Sequence, residues 1–190
     1  FRLELKYKPL CKPIFYMIEI IDNFLPKNFE DQLEKSFQNQ SNINIPLYYT
    51  PNITSSNMDE FLPSFSSEFY PNPRGVSNFL MNVLYYFSFN RNFYISNILR
   101  AKAICQVPPL NPGPNKIHVD FFIPHLVLLY YVHDSDGDTI LFDENDNEIK
   151  RVTPKKGRAI FFDGSIKHCS SSPTKGLRSI LNFNFETINL

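Results

Sequence analysis

The sequence predicts a mostly β protein of the α+β class: a double-stranded β-helix, or cupin-like jelly roll, with N-terminal helices packed on the major sheet. The chain has 190 residues, 43% of them hydrophobic and 20% charged, which suits one domain with a substantial core. Helical periodicity occurs only in its first half, and short strand-like runs follow from Ile98. We therefore expect one domain over 1–190, with an N-terminal strand and helices in 14–97 and a jelly-roll core in 98–186.

The first two elements are a strand and a helix. Residues 14–21 are rich in isoleucine and aromatic residues, which favour a β-strand. Pro26 then opens a helix over Lys27–Gln38. Apolar residues recur every four positions through this helix and form one stripe, which predicts that it lies on a sheet: Leu25, Phe29, Leu33 and Phe37.

A proline-rich segment separates this helix from a second one. Residues 39–74 contain five prolines among many serines and asparagines, so we expect no regular structure there. Its aromatic residues favour a surface loop pinned to the domain, and the alternative is a lid or substrate wall. A second helix is predicted over Gly75–Phe89. Its expected buried face consists of Phe79, Val83, Tyr86 and Phe87.

Eight short strands are predicted in the second half of the chain. Proline, glycine, asparagine and aspartate mark the turns between them, and this spacing is typical of a jelly roll. The predicted strands are 98–107, 116–121, 126–132, 138–142, 147–152, 158–162, 165–169 and 177–185.

Composition excludes several classes of protein. The 19 basic and 19 acidic residues give no net charge, which argues against a nucleic-acid-binding protein with a basic face. Cys11, Cys105 and Cys169 are far apart and form no metal-binding pair, so we expect a reducing, cytoplasmic environment. No apolar run approaches the length of a membrane span, so we expect no association with a membrane.

The most informative pattern is His118-Val119-Asp120, followed fifty residues later by His168. Residues i and i+2 of a strand face the same side, so His118 and Asp120 project together. The second and seventh strands of a jelly roll are neighbours, which would bring His168 beside them. Two imidazoles and one carboxylate would then occupy one face of a metal, as in the facial triad of non-haem Fe(II) oxygenases.

Arg178 is a second candidate. It lies inside an otherwise apolar final strand, where a charge is costly unless it meets an anion. A dicarboxylate cosubstrate would supply that anion through a bidentate pair. Tyr131, at the end of the apolar run from Leu126, could add a hydroxyl group to the same carboxylate.

Taken in order, these motifs resemble the Fe(II)/2-oxoglutarate-dependent dioxygenases, in particular their prolyl-4-hydroxylase-like branch. The stretch from Ile98 to Glu186 carries the resemblance. Its matching pieces are the H-x-D motif at His118, Leu129–Val132, Asp136–Thr139, Pro154–Gly164, His168, Arg178 and Asn182–Phe185. The opening Asp22–Pro26 also resembles the start of such proteins, including phage-encoded ones.

The resemblance implies specific roles for these residues. His118, Asp120 and His168 would hold Fe(II), and Arg178 with Tyr131 would hold the far carboxylate of 2-oxoglutarate. The expected reaction uses O2, with ascorbate as an accessory reductant, and hydroxylates an unactivated carbon while 2-oxoglutarate becomes succinate and CO2. A peptidyl residue such as proline is the first substrate expected, and a free amino acid or other small metabolite is the alternative.

Other interpretations follow from the same residues. The chain could be a cupin-type metal enzyme that does not use 2-oxoglutarate, or a non-catalytic jelly-roll binding protein. His125 and His133 are expected to be ordinary loop and strand-end residues. The acidic run Asp134–Asp138 invites a calcium-site interpretation, but its glycine falls one place too early for an EF-hand loop and a hairpin turn is favoured.

Overall fold

Two antiparallel sheets stacked face to face form the body of the molecule in the computed structural model, which describes residues 17–50, 63–71 and 76–188. The larger sheet has seven strands in the order β1-β8-β5-β10-β4-β3-β2, and the smaller has three in the order β7-β6-β9. The strands are β1 Ile18–Ile21, β2 Tyr48–Thr50, β3 Ser64–Tyr70, β4 Tyr94–Gln106, β5 Leu126–Tyr131, β6 Thr139–Phe142, β7 Glu148–Val152, β8 Ala159–Asp163, β9 Lys167–Ser170 and β10 Arg178–Ile188. This arrangement confirms the predicted jelly roll.

Two helices cover the outer face of the larger sheet. They are α1 Lys27–Phe37 and α2 Ser77–Arg91, both within two residues of their predicted ends. Leu33 of α1 and Leu84 of α2 are fully buried against sheet residues such as Phe183. The prediction that the N-terminal helices pack on the major sheet is therefore confirmed. Neither helix, in the ranges that the structure describes, is long and apolar enough to cross a membrane.

The second core lies between the two sheets. Alternate residues of the larger sheet point inward, including Leu129 and Ile180, and meet Leu141 and Val152 from the smaller sheet. The side chains of β10 also alternate between the two faces of the larger sheet, because successive side chains of a strand point to opposite faces. Phe183 faces the helices, whereas Arg178, Asn182 and Ile180 face the interior between the sheets.

Three sequence predictions are corrected by the structure. The segment 39–74 was expected to lack regular structure but contains β2 and β3. The three prolines of this segment that the structure describes, Pro46, Pro63 and Pro71, lie outside these strands, where they remove no ladder hydrogen bond. The strand expected at 116–121 is absent, and only the isolated bridge between His118 and His168 forms there.

The third correction concerns the buried face of α2. Phe79 and Tyr86 are only half-buried. The face that packs on the sheet instead carries Ser77, Leu80, Met81, Val83, Leu84 and Phe87. The helix is apolar on nearly every side, so periodicity alone could not select the packed face. Of the strand predicted at 14–21, the part before residue 17 lies outside the described residues.

Candidate active site

His118 and His168 are brought together by a two-residue bridge between the segment after β4 and strand β9. Each backbone N–H donates to the other residue's carbonyl oxygen, at 3.0 and 2.8 Å. A directly opposed pair places both side chains on one face, and the two ring centroids lie 4.7 Å apart. One bridge therefore does what the sequence analysis expected a longer strand to do.

Asp120 completes a compact group of three metal-ligand side chains. Its carboxylate oxygens lie 3.9 Å from Nε2 of His118 and 3.8 Å from Nε2 of His168. One ligand atom from each residue falls within 4.8 Å of the others. Two imidazoles and one carboxylate at this spacing match the donor set that Fe(II) takes in a facial triad. Elsewhere in the described ranges, no other group of three such residues meets the same criterion.

The tautomers of the two histidines fit a metal at the same place. Nδ1 of His118 lies 3.0 Å from the carbonyl oxygen of Lys116, and Nδ1 of His168 lies 3.1 Å from that of Ile166. A carbonyl oxygen can only accept, so each Nδ1 carries a proton, and in the neutral imidazole Nε2 then has the lone pair that a metal needs. Burial lowers the pKa of His168, which keeps this imidazole in the neutral form that binds metals.

Protein donors fix both oxygens of Asp120. Arg100 on β4 donates to Oδ1 at 2.5 Å, and Asn182 and Asn184 on β10 donate to Oδ2 at 3.2 and 2.8 Å. Burial alone would raise the pKa of Asp120, but His168, Arg100 and the two amides outweigh it and hold this pKa well below its usual range. The carboxylate is therefore ionised and oriented.

Arg178 is buried without a matching negative charge. Its side chain is 2% exposed and donates to the carbonyl oxygen of Gly137, to Oε1 of Gln106 and to Oγ1 of Thr139, at 2.7–2.9 Å. All three acceptors are neutral, and no carboxylate pairs with Arg178 among the residues that the structure describes. Burial lowers the pKa of Arg178, a cost that an anion bound beside it would offset.

Tyr131 contacts this arginine both directly and through Thr139. The guanidinium group of Arg178 lies over the Tyr131 ring, 5.8 Å from its centroid. The Tyr131 hydroxyl group donates to Oγ1 of Thr139 at 2.6 Å, and burial raises the pKa of Tyr131 to about 12. Thr139 thus accepts from Tyr131 and Arg178 at once, which leaves its own hydroxyl hydrogen available to a ligand. Thr139 lines the cavity and Tyr131 lies behind it. The sequence pattern predicted a role for Tyr131, whereas Thr139 was recognised only as part of a turn motif.

A cavity of about 310 Å³ joins these groups. His118, Asp120 and His168 line one part of it, and Thr139 and Arg178 line another. This volume is at the lower end of the range of about 300–1,000 Å³ typical of small-molecule sites. The cavity therefore offers a three-ligand metal position and a cationic anchor to one small ligand.

Comparisons with solved structures agree with this architecture. A prolyl-4-hydroxylase from Pseudomonas putida is 13% identical, with a TM-score of 0.60 over 90% of this chain and 93% of that one. A 2OG-Fe(II) oxygenase family oxidoreductase from Burkholderia pseudomallei is 11% identical, with a TM-score of 0.64 over 90% and 84%. The chain has the fold of the 2OG-Fe(II) oxygenases. The resemblance found in the sequence is thereby confirmed for the fold.

Two more neighbours of this oxygenase fold extend the comparison. A prolyl hydroxylase from Trichoplax adhaerens, in complex with a hypoxia inducible factor peptide fragment, is 14% identical with a TM-score of 0.63 over 88% of this chain and 82% of that one. A viral collagen prolyl hydroxylase from Paramecium Bursaria Chlorella virus-1 is 18% identical with a TM-score of 0.55 over 95% and 99%. The sequence matches no protein-family model and no curated protein.

The remaining histidines of the oxygenase fold lie away from the triad. The ring of His125 packs over Gly164 and against Phe121. His133 lies beside Phe37, the last residue of α1, and Gln38, which follows it. The acidic run 134–138 forms a turn whose carboxylates bind protein donors, with Asp136 accepting from Thr174. None of these groups adds a ligand to the triad.

Two basic residues of the cavity were missed by sequence reasoning. Arg100 and Lys102 alternate along β4 and both face the cavity. The sequence contains the signal, because two cations spaced i, i+2 in a strand share a face. That face could not be assigned to the site before the pairing of β4 with β10 was known.

Proposed function

We propose that this protein is an Fe(II)- and 2-oxoglutarate-dependent dioxygenase that hydroxylates an unactivated carbon. In this reaction O2, 2-oxoglutarate and a C–H group give succinate, CO2 and a C–OH group. The observation that supports it most strongly is the presence, in one cavity, of the His118, Asp120 and His168 group and of a buried arginine, Arg178. The hydrogen-bond acceptors of this arginine among the described residues are all neutral.

Each of these residues has a defined task in the proposal. The imidazoles of His118 and His168 and the carboxylate of Asp120 would hold Fe(II), which when bound supplies the oxidising chemistry together with the keto acid and O2. Arg178 would pair with the far carboxylate of 2-oxoglutarate, and Thr139 would donate its hydroxyl hydrogen to the same group. Tyr131 would act behind Thr139 by fixing the direction of that hydrogen.

The substrate that we propose first is a peptidyl residue such as proline. Three of the neighbours in fold are prolyl hydroxylases, and one of these is in complex with a peptide fragment. The same chemistry on a free amino acid or other small metabolite is the alternative. Ascorbate would serve as an accessory reductant.

The proposal is tested by anaerobic titration of the purified protein with Fe(II) and then with 2-oxoglutarate. We expect a visible charge-transfer band of the iron chelate, followed by succinate formation once O2 is admitted. Bound metal without the band or succinate would instead favour a cupin-type enzyme that does not use 2-oxoglutarate. Absence of metal binding would favour a non-catalytic jelly-roll protein.

A further inference from the structure

Lys102 is a cation that lines the active-site cavity. It lies on β4, is half-buried and lines the cavity together with Arg100 and Arg178. Arg100 is paired with Asp120 at 2.5 Å. The ammonium group of Lys102 forms no hydrogen bond or ion pair within the described ranges. Burial, and next the charge of Arg100, lower the pKa of Lys102 and outweigh the opposing effect of the Glu68 and Asp120 carboxylates.

The surroundings of Lys102 explain why this charge remains available. Its cross-strand neighbour on β10 is Asn182, whose Oδ1 is buried and has no hydrogen-bond donor. Lys102 does not use this acceptor. Its neighbour on β3 is Glu68, which is exposed and lies beyond ion-pair distance. An ammonium group held between these two residues therefore remains free to meet a ligand.

The position of Lys102 separates it from the proposed cosubstrate anchor. Arg178 pairs with Gln106, which follows Lys102 by four residues on β4. The backbone of Lys102 is therefore about 13 Å along the strand from the position opposite Arg178. Lys102 instead lies level with Asn182, which contacts the metal-ligand candidate Asp120. Lys102 therefore lies on the metal side of the cavity.

The charge balance of the cavity points to an anionic ligand there. Among the residues that the structure describes, three basic side chains and one carboxylate line the cavity, so these walls carry an excess of positive charge. Fe(II) and 2-oxoglutarate carry equal and opposite charges, so binding both would leave that excess unchanged. A partly buried cavity with an uncompensated positive charge attracts anions.

On the basis of the proposed function, we propose that Lys102 binds a carboxylate of the hydroxylation substrate. The substrate class is therefore an acid: a free amino acid, a peptide that ends beside the reacting residue, or a peptide with an acidic residue next to it. An ammonium–carboxylate hydrogen bond in such a site strengthens binding by a factor of about ten or more, so an amide in place of the acid should bind at least about tenfold more weakly.

The test uses matched pairs of probes that differ only in this carboxylate. They are L-proline and L-prolinamide, glycyl-L-proline and its amide, and the acetylated, amidated dipeptides Pro-Glu and Pro-Gln. Calorimetry would measure their binding to protein loaded with Mn(II) and 2-oxoglutarate, and succinate formation would be followed with Fe(II) and O2. We expect the acid of at least one pair to bind about tenfold more tightly than its partner.

Three variants test whether the preference for the acid depends on the charge of Lys102. Lys102→Arg keeps the charge and should retain the preference, whereas Lys102→Met should lose it. Lys150→Met, which removes an exposed lysine of β7, is the control and should behave as the wild type. Equal affinities within every pair in the wild type, including no binding by either member, would overturn the proposal, as would a preference that survives in Lys102→Met.

A parallel titration with 2-oxoglutarate decides whether Lys102 binds a carboxylate of the substrate or one of the cosubstrate. We expect Lys102→Met to bind 2-oxoglutarate as the wild type does. A weaker affinity for 2-oxoglutarate, without discrimination within the pairs, would assign Lys102 to the cosubstrate and overturn the substrate assignment. If Mn(II) and 2-oxoglutarate do not bind at all, the proposed dioxygenase function fails, and discrimination within the pairs is then measured on the protein alone.

Discussion

Single hydrogen bonds set the tautomer and the orientation of the two histidines at the centre of the cavity. His118 and His168 each bind, through Nδ1, a carbonyl oxygen two residues earlier in the chain. This fixes the tautomer and directs both Nε2 atoms toward Asp120. By contrast, His133 lies beside α1 and contacts none of these residues.

We expect His168→Ala to lose Fe(II) or Mn(II) affinity by more than about 100-fold, because one of three ligands disappears. His133→Ala is the matched control and should retain wild-type metal affinity. Calorimetric titration with Mn(II) measures both, and circular dichroism checks that the sheets remain folded. Metal affinity in His168→Ala within threefold of the wild type would show that this residue is not a ligand.

The hydroxyl groups near Arg178 differ in what they can offer a ligand. Thr139→Val removes the group that faces the cavity, so we expect an affinity for 2-oxoglutarate about tenfold weaker, the value of one hydrogen bond to a charged group. Tyr131→Phe removes only the group behind it and should have a smaller effect. Titration of the iron-loaded variants with 2-oxoglutarate measures both affinities. The opposite ranking would place the Tyr131 hydroxyl group, and not that of Thr139, against the carboxylate.

At the scale of elements, sequence pattern succeeded where apolar residues recur with a clear period. The stripe at Leu25, Phe29, Leu33 and Phe37 predicted α1 within one residue of its observed end. Sequence pattern did not predict β3, because its serines and glutamate are not typical of a core strand. This strand is stabilised by pairing with β4. Pairing of this kind depends on a distant segment, so it cannot be seen locally.

The turn before β6 positions Arg178, and the absence of a side chain at Gly137 allows the turn to lie close to this arginine. A Cβ atom at this position would lie 2.8 Å from the carbonyl oxygen of Ser171 and 3.0 Å from Cδ of Arg178. The Gly137 carbonyl oxygen also accepts from Nε of the same arginine, at 2.8 Å. The turn and the guanidinium group are therefore packed against each other.

We expect Gly137→Ala to weaken binding of 2-oxoglutarate by about tenfold or more and to spare metal binding, because the added methyl group displaces Arg178 but is remote from the triad. Gly113→Ala is the control, since a Cβ atom there meets nothing within 4 Å. Paired titrations with Mn(II) and 2-oxoglutarate separate the two effects. Equal affinity for 2-oxoglutarate in both variants would contradict this role for the turn.

At the scale of the whole molecule, the candidate site joins the two sheets. His168 belongs to β9 of the smaller sheet, whereas Asp120 is bonded to Arg100 of β4 and Asn182 of β10 in the larger one. The sequence predicted the triad because its motifs are local and ordered. It did not predict Arg100 or Lys102 in the site, because their role depends on the register between β4 and β10.

A ligand that contacts both sheets should stabilise the whole fold. At about 100 times its dissociation constant, a ligand specific to the folded state adds about 2.7 kcal/mol to the free energy of unfolding. For a chain of this length, that corresponds to a rise of about 5–10 °C in the thermal midpoint. We therefore expect Mn(II) with 2-oxoglutarate to raise the midpoint of the wild type by this amount under anaerobic conditions.

The same rise should disappear in His168→Ala, because the link from β9 to the ligand is lost, and it should persist in His133→Ala. Differential scanning calorimetry with and without the two ligands measures it. A rise of the same size in His168→Ala would mean that the ligands bind elsewhere. A rise with 2-oxoglutarate alone, absent in Thr139→Val, would instead mean that the arginine end of the cavity binds the dicarboxylate without the metal.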